Sequence, residues 1–80
     1  MNKEILPKLY GIISSQTGIY IGDISPDNDF EDDLNISDLE LAEIISLAED
    51  TFEIEIDTED AKKIRTVADL AILIEEAGFI

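Results

Sequence analysis

Apolar residues recur at three- and four-residue spacing in three stretches of this chain, and that spacing predicts three helices of several turns each. The first helix begins near Leu6 or Pro7, because a proline is tolerated only in the first turn of a helix. It ends after Gln16, since Gly18 can adopt the left-handed conformation that commonly closes a helix. We therefore expect one helix across most of the N-terminal segment.

The second helix has a defined start. Ser37 is followed three residues later by Glu40, which is the spacing of a capping box, in which each side chain accepts a hydrogen bond from the other residue's backbone N–H. We expect this helix to extend from about Asp38 to Thr51. Its apolar stripe consists of Leu41, Ile44, Ile45, Ala48 and Phe52.

Residues 52–57 alternate strictly between apolar and acidic side chains, which is the pattern of a strand. A lone short strand has nothing to pair with in a helical chain, unless residues 19–21 supply a partner strand. We favour an extended connector that directs Ile54 and Ile56 into the core, with the strand pair as the alternative.

Two more helices follow this connector. A short third helix is expected from about Thr58 to Lys63, with Thr58 as its N-cap. A fourth helix starts after its N-cap Thr66 and is closed by Gly78. Its apolar stripe consists of Val67, Leu70, Ala71 and Ile74.

Residues 18–36 form a long loop that is rich in Gly, Asn, Asp and Pro, the residues of turns. The loop also contains too many apolar side chains for a free linker, so we expect it to lie folded over the core. These side chains are Ile19, Ile21, Ile24, Phe30 and Leu34. A loop of this length inside a compact domain is often functional.

Composition changes the picture mainly through charge. The net charge is −15, and no Lys or Arg occurs from Leu9 to Ala61. Repulsion of phosphate groups disfavours nucleic acid and anionic membranes as partners. A basic protein surface is the favoured partner, and a merely solvated acidic face is the alternative.

The chain has 80 residues, which is enough for a single domain over residues 1–80 with one core. It contains no cysteine and no histidine, so the usual nucleophile–base pairs and zinc ligands are missing. We predict no catalytic residue, no metal site and no enzymatic activity. The sequence also lacks a membrane-spanning apolar run and a signal-peptide pattern, which predicts a cytoplasmic protein, and we expect a monomer.

Several motifs, in their order and spacing, resemble the acyl carrier protein family. The pair Ile12-Ile13 resembles that family's helix 1 core pair, and Phe30-Glu-Asp-Asp-Leu34 resembles the close of its first loop. Residues 52–56 and 59–67 resemble its passage from helix 2 to helix 4. The resemblance implies an all-α fold, an acyl-carrier-like antiparallel four-helix bundle with three long helices, a short third helix and a long first loop.

The family has Asp-Ser-Leu at the start of its second helix, and that serine carries 4'-phosphopantetheine. This chain has Ser37-Asp38-Leu39, and an ungapped alignment on Leu34 and Leu39 places Asp38 at the attachment position. A carboxylate cannot form the phosphodiester, so Ser37, one residue early, is the candidate attachment residue. The capping box alone also explains Ser37, and both interpretations stay open. At a helix N-terminus, the negative charge of Asp38 would partly mimic the phosphate of a modified protein.

The resemblance further implies a docking surface on helix 2, where acidic residues surround exposed apolar ones. The residues at the matched positions are Asp38, Glu40, Glu43 and Glu49, around a central patch of Leu39, Ala42 and Ser46. The family usually has larger apolar residues where this chain has Ala42 and Ser46, so the patch is flatter and more polar here. The implied partners are basic surfaces of biosynthetic enzymes and a phosphopantetheinyl transferase.

Residues 27–31 also place oxygen atoms at positions one, three and five of a calcium-binding loop. Asp32 replaces the glycine that such a loop needs at position six, and Asp38 replaces the glutamate at position twelve. An EF-hand is therefore not predicted, and loose binding of a divalent cation that relieves repulsion is the remaining alternative.

Two functions follow from these residues. The first is a carrier of acyl or aminoacyl thioesters on an arm at Ser37, in fatty acid, polyketide or nonribosomal peptide biosynthesis. The second is an acyl-carrier-like module without an arm, which docks to enzymes or regulates them through its acidic second helix.

Overall fold

The structure, a computed structural model, describes residues 3–78. Within this range the chain forms helices α1 (Ile5–Thr17), α2 (Asp38–Phe52), α3 (Thr58–Ala61) and α4 (Val67–Glu76), together with a 3₁₀ turn (Ile21–Asp23). Helix α1 packs against α2 and α4, and α2 also contacts α4. The described residues contain no strand, so the predicted all-α bundle is confirmed and the alternative strand pair is wrong.

The ends of α1 follow from Pro7 and Gly18. The helix begins at Ile5, which leaves Pro7 in its first turn, where the missing N–H costs no helical hydrogen bond. It closes at Gly18, which has a φ of 78° and whose N–H donates to the carbonyl oxygen of Ser14 at 2.8 Å. The glycine closure predicted for this helix is confirmed.

Apolar side chains from all three long helices and from the loop between α1 and α2 form the core. Those on the helices are Ile5, Leu9 and Ile13 of α1, Ile44, Ala48 and Phe52 of α2, and Val67, Leu70, Ala71 and Ile74 of α4. The predicted α4 stripe is therefore confirmed. On α2 the buried line passes through Ile44, and Leu41 and Ile45 flank it half-buried.

The loop over residues 18–36 folds onto this core as predicted. Ile24, Phe30 and Ile36 are buried in it. The prediction for Ile21 is wrong, because this residue is 44% exposed instead of packed in the core. It lies in the 3₁₀ turn between the anchoring residues Ile19 and Ile24, which turns it outward.

Three backbone hydrogen bonds fasten the loop to the start of α4. The N–H of Phe30 donates to the carbonyl oxygen of Arg65 at 2.8 Å. The N–H groups of Val67 and Ala68 donate to the carbonyl oxygens of Asn28 at 3.1 Å and Pro26 at 2.9 Å. The loop therefore supplies acceptors that α4 lacks in its own first turn.

Residues 54–57 form an extended connector between α2 and α3, as favoured above, and Ile54 and Ile56 pack against the core. Two details of α3 correct the prediction. Its N-cap is Asp57 and not Thr58, because the extended conformation persists through Asp57, where ψ is 146°. Helix α3 ends at Ala61, and the two lysines predicted to extend it lie in a turn.

Candidate functional site: the start of helix α2

Helix α2 begins with a complete capping box, as predicted. The Oγ atom of Ser37 accepts a hydrogen bond from the N–H of Glu40 at 3.1 Å. In return, Oε1 of Glu40 accepts from the N–H of Ser37 at 3.1 Å and lies 3.2 Å from the Ser37 hydroxyl, which donates to it. The hydroxyl of the candidate attachment residue is thus used in the local structure, although Ser37 itself is exposed.

Two backbone donors remain open beside this capping box. The carbonyl oxygen of Ser37 accepts from Leu41, and the N–H of Glu40 is capped by the serine hydroxyl. Among residues 3–78, however, no group accepts from the N–H groups of Asp38 and Leu39. Together with the helix dipole, these two donors make the start of α2 favourable for a negatively charged group.

Asp38 is the first residue of α2 and is exposed. Its carboxylate makes no hydrogen bond or ion pair with the described part of the chain. It borders a shallow cavity of about 280 Å³ between the loop, the start of α2 and the connector before α4, whose apolar lining includes Phe30 and Ile64. Arg65 also lines this cavity.

Arg65 is the residue at this site that the sequence analysis missed. One nitrogen of its guanidinium group lies 3.6 Å from Oδ2 of Asp29, and its carbonyl oxygen accepts from Phe30. No sequence signal marks this arginine, because the contact joins two segments that are distant in the chain. The fold places a cation beside an otherwise acidic site.

The predicted docking residues all lie on α2, but they differ in how free they are. Leu39 is 71% exposed, and Ala42, Glu43 and Ser46 follow it on the same face of the helix. Glu40 is half-buried in the capping box. Glu49 is also half-buried, and its Oε2 accepts from the N–H of Ile56 at 3.0 Å. Within residues 3–78, Asp38 and Glu43 are the predicted acidic docking residues with no intramolecular partner.

The acidic loop before α2 uses its carboxylates for local hydrogen bonds. Oδ1 of Asp29 accepts from the N–H groups of Glu31 and Asp32, both at 2.9 Å. The Asp32 hydrogen bond above all, then that from Glu31 and the charge of Arg65, holds the pKa of Asp29 below its usual value. No group of three or more carboxylates in the described range is placed to hold a metal ion, so these residues lend no support to the alternative of loose divalent-cation binding.

Residues 7–74 of the chain match the family model described as a phosphopantetheine attachment site. The chain belongs to the acyl carrier protein family. It is similar to the acyl carrier protein of Bdellovibrio bacteriovorus, with 36% identity over 74 residues that cover 92% of this chain and 95% of the relative. It is also similar to the acyl carrier protein of Prochlorococcus marinus, with 37% identity over 73 residues and 91% of each chain covered.

Family membership confirms several predictions at once. Acyl carrier proteins are carriers and not enzymes, they interact with biosynthetic enzymes, and their prosthetic group is 4'-phosphopantetheine. Separately, no helix within residues 3–78 has the length and apolar character needed to cross a bilayer.

Of the two residues at the start of α2, Ser37 fits this prosthetic group and Asp38 does not. The ungapped alignment predicts Asp38 at the attachment position, and a carboxylate cannot form the phosphodiester of the arm. Ser37 is an exposed residue with a hydroxyl, and the open N–H groups of Asp38 and Leu39 beside it are donors that a phosphate would accept from. The carboxylate of Glu40, 3.2 Å from that hydroxyl, opposes a second negative charge there.

Proposed function

We propose that this acyl carrier family protein docks to basic surfaces of biosynthetic enzymes through α2 and bears its phosphopantetheine arm on Ser37. It acts as one domain over residues 1–80, as a cytoplasmic monomer, in fatty acid, polyketide or nonribosomal peptide biosynthesis. The observation that carries the proposal is the open start of α2, where the exposed residue Ser37 lies beside two backbone N–H groups without an acceptor in the described range.

The residues of this site would hold the arm in a defined way. The Oγ atom of Ser37 would form the ester bond, and the N–H groups of Asp38 and Leu39 would donate to the phosphate oxygens. The bound group supplies a flexible thiol on which an acyl or aminoacyl cargo is carried as a thioester. Attachment of the arm would remove the hydrogen bond that the Ser37 hydroxyl now accepts in the capping box, which would cost on the order of 1 kcal/mol of helix stability.

Docking through α2 is supported by charge and exposure. Leu39 is 71% exposed and lies on the same helix as the free carboxylates of Asp38 and Glu43. No basic residue occurs between Leu9 and Ala61, and Arg65, which lines the same cavity as Asp38, lies 3.6 Å from Asp29. A partner surface with Lys or Arg around an apolar pocket for Leu39 is therefore complementary to this face of α2, and the transferase that attaches the arm would approach the same end.

A second function, the docking module without an arm, is favoured by a different observation. The Ser37 hydroxyl both accepts from and donates to Glu40, while Asp38 presents a fixed negative charge at the aligned position. That charge would take the place of the phosphate during docking. In this case Asp38→Asn would weaken binding to a basic partner enzyme, and unchanged binding would rule out the mimicry.

One experiment separates the two functions. The protein is incubated with coenzyme A and a broad-specificity phosphopantetheinyl transferase, and its intact mass is measured. The carrier function predicts a gain of one arm that Ser37→Ala abolishes and that Ser15→Ala, the control at an exposed serine of α1, leaves unchanged.

The positive control is a double variant in which Ser37→Asp and Asp38→Ser restore the family's Asp-Ser-Leu order. If this variant gains an arm and the natural sequence gains none with several transferases, the carrier function is overturned and the docking module is supported. A gain in the natural sequence that survives Ser37→Ala would also contradict attachment at Ser37.

A further inference from the structure

Large apolar side chains that remain exposed mark a second surface on this molecule. In the described residues these are Tyr20, Ile21, Leu39 and Ile72. Leu39 belongs to the proposed docking face of α2, and Ile72 stands alone on α4. Tyr20 and Ile21 are neighbours in the loop between α1 and α2, and they are 71% and 44% exposed. An aromatic and an aliphatic side chain held together in solvent need an explanation that single exposed residues do not.

The backbone holds this pair in place. The N–H of Asp23 donates to the carbonyl oxygen of Tyr20 at 2.9 Å, and the N–H of Ile24 donates to that of Ile21 at 3.3 Å. On either side, Ile19 is half-buried and Ile24 is only 6% exposed, so both ends of the segment are anchored in the core. Tyr20 and Ile21 are therefore presented on a fixed turn and not on a free loop.

The tyrosine ring is also positioned by Gly22. The ring edge of Tyr20 lies so close over this glycine that a Cβ atom on residue 22 would collide with it. The ring rests against backbone instead of turning freely in solvent. An aromatic side chain that is already ordered loses less conformational entropy when a partner binds, which favours its use as a contact residue.

The charge around this turn limits what can bind there. Asp23 lies two residues after Ile21 in the same 3₁₀ turn and is itself exposed, and no Lys or Arg occurs between Leu9 and Ala61. An apolar segment that carries Lys or Arg would gain both burial and charge complementarity, including contact of a cation with the face of Tyr20.

We propose that Tyr20 and Ile21 form a second docking surface, which binds a basic amphipathic segment of a protein partner. The surface is separate from the docking face of α2 and does not depend on whether Ser37 carries an arm. Tyr20 provides the aromatic anchor, Ile21 the aliphatic contact, and Asp23 the charge that selects a cationic partner.

The test uses the full chain labelled with ¹⁵N and a helical peptide of leucine and lysine as the probe. Amide resonances of residues 20–23 are expected to shift on titration. The double variant Tyr20→Ser, Ile21→Ser should lose these shifts and bind the peptide about fivefold more weakly. Ile72→Ser, the matched control with a similarly exposed isoleucine on α4, should bind like the natural protein.

Each other outcome counts against the proposal. Shifts confined to residues 38–49 would assign the peptide to α2 alone. Unchanged affinity of the double variant would show that the turn contributes nothing, and equal binding of a peptide with glutamine in place of lysine would remove the role of charge. Both substituted residues are exposed, so the double variant should unfold at the same temperature as the natural protein, which checks that the fold is retained.

Discussion

Helices α2 and α4 start with the same capping motif, but their starts differ in whether another part of the chain covers them. Thr66 caps α4 as Ser37 caps α2: its Oγ1 accepts from the N–H of Asp69 at 3.1 Å, and Oδ2 of Asp69 accepts from the N–H of Thr66 at 3.0 Å. At α4 the next two backbone N–H groups donate to carbonyl oxygens of the loop, whereas at α2 the equivalent N–H groups have no acceptor within residues 3–78.

The difference shows how one capping signal serves two purposes. At α4 the motif joins the loop to the bundle, because the loop carbonyls complete the first turn and Thr66 becomes half-buried. At α2 the capping box stabilises the helix but leaves its N-terminal end exposed to solvent, with the exposed Asp38 as its first residue. A capping box therefore marks where a helix begins and does not say whether that end is structural or open to a partner.

The largest effect is expected when one apolar residue is replaced near the start of each of these two helices. Phe30 is 2% exposed and lies where the loop meets α4, so Phe30→Ala should cost about 3–5 kcal/mol of unfolding free energy. Leu39→Ala at the open end should change it by less than about 0.5 kcal/mol. Urea unfolding measures both, with Phe30→Leu as a milder variant that keeps the chain folded. Similar losses of stability at Phe30 and Leu39 would contradict the conclusion that the start of α4 is covered by the loop and the start of α2 is exposed.

A smaller effect compares the two N-cap hydroxyl groups directly. Thr66→Ala should destabilise the protein by about 1–2 kcal/mol, because the cap is half-buried and helps to hold the loop. Ser37→Ala should cost about 0.5–1 kcal/mol, because water can replace the exposed cap. The difference between the two in chemical denaturation is the measurement. A larger loss for Ser37→Ala would mean that α2 depends on its cap more than α4 does.

A further, smaller effect is expected in the acid stability of the start of α4, the helix end that the loop covers. Burial alone would raise the pKa of Asp69, but hydrogen bonds from the N–H groups of Thr66 and Arg65 outweigh it and lower that pKa below 3.8. Because the folded pKa is the lower one, the stability that Asp69 contributes is fully present above the unfolded value and is lost as pH falls through the folded value. The pKa of Asp29 is also lowered, by the hydrogen bond from the N–H of Asp32 above all, so its contribution follows the same rule.

The measurement is urea unfolding of the natural protein and of Asp69→Asn from neutral pH to about pH 3. The natural protein should lose stability below about pH 4, and the variant should lose less, since its amide does not titrate. Glu43→Gln, an exposed control on α2, should follow the natural profile. Identical acid profiles for all three proteins would show that Asp69 does not contribute in this way.

The smallest effect is expected at the open end itself. Asp38→Asn removes a carboxylate from the first turn of α2, where it interacts favourably with the helix dipole, and should cost about 0.3–1 kcal/mol at low salt. Added sodium chloride should reduce this difference by screening. A gain in stability would show that relief of the repulsion within a chain of net charge −15 outweighs the dipole at this position.

Much of this architecture was predictable from the sequence because its signals are local. Gly18 closes α1, the pair Ser37/Glu40 and the N-cap Thr66 start two helices, and the apolar spacing of α4 matches its buried face. The failures arose where local signals were weak or shared. The N-cap of α3 was misplaced by one residue, and Ile21 was predicted inside the core although the turn directs it outward.

The sequence by itself determined the helices, the acidic surface, and the exchange of serine and aspartate at Ser37 and Asp38, since these depend on residue identity and short-range spacing. Only the tertiary structure decided which helix start is covered and which is open. That outcome depends on where the loop carbonyls of Pro26 and Asn28 lie in space, and the long-range packing of Phe30 beside Arg65 fixes them there. Ser37 and Asp38 remain at the surface because, within residues 3–78, no such segment covers the start of α2.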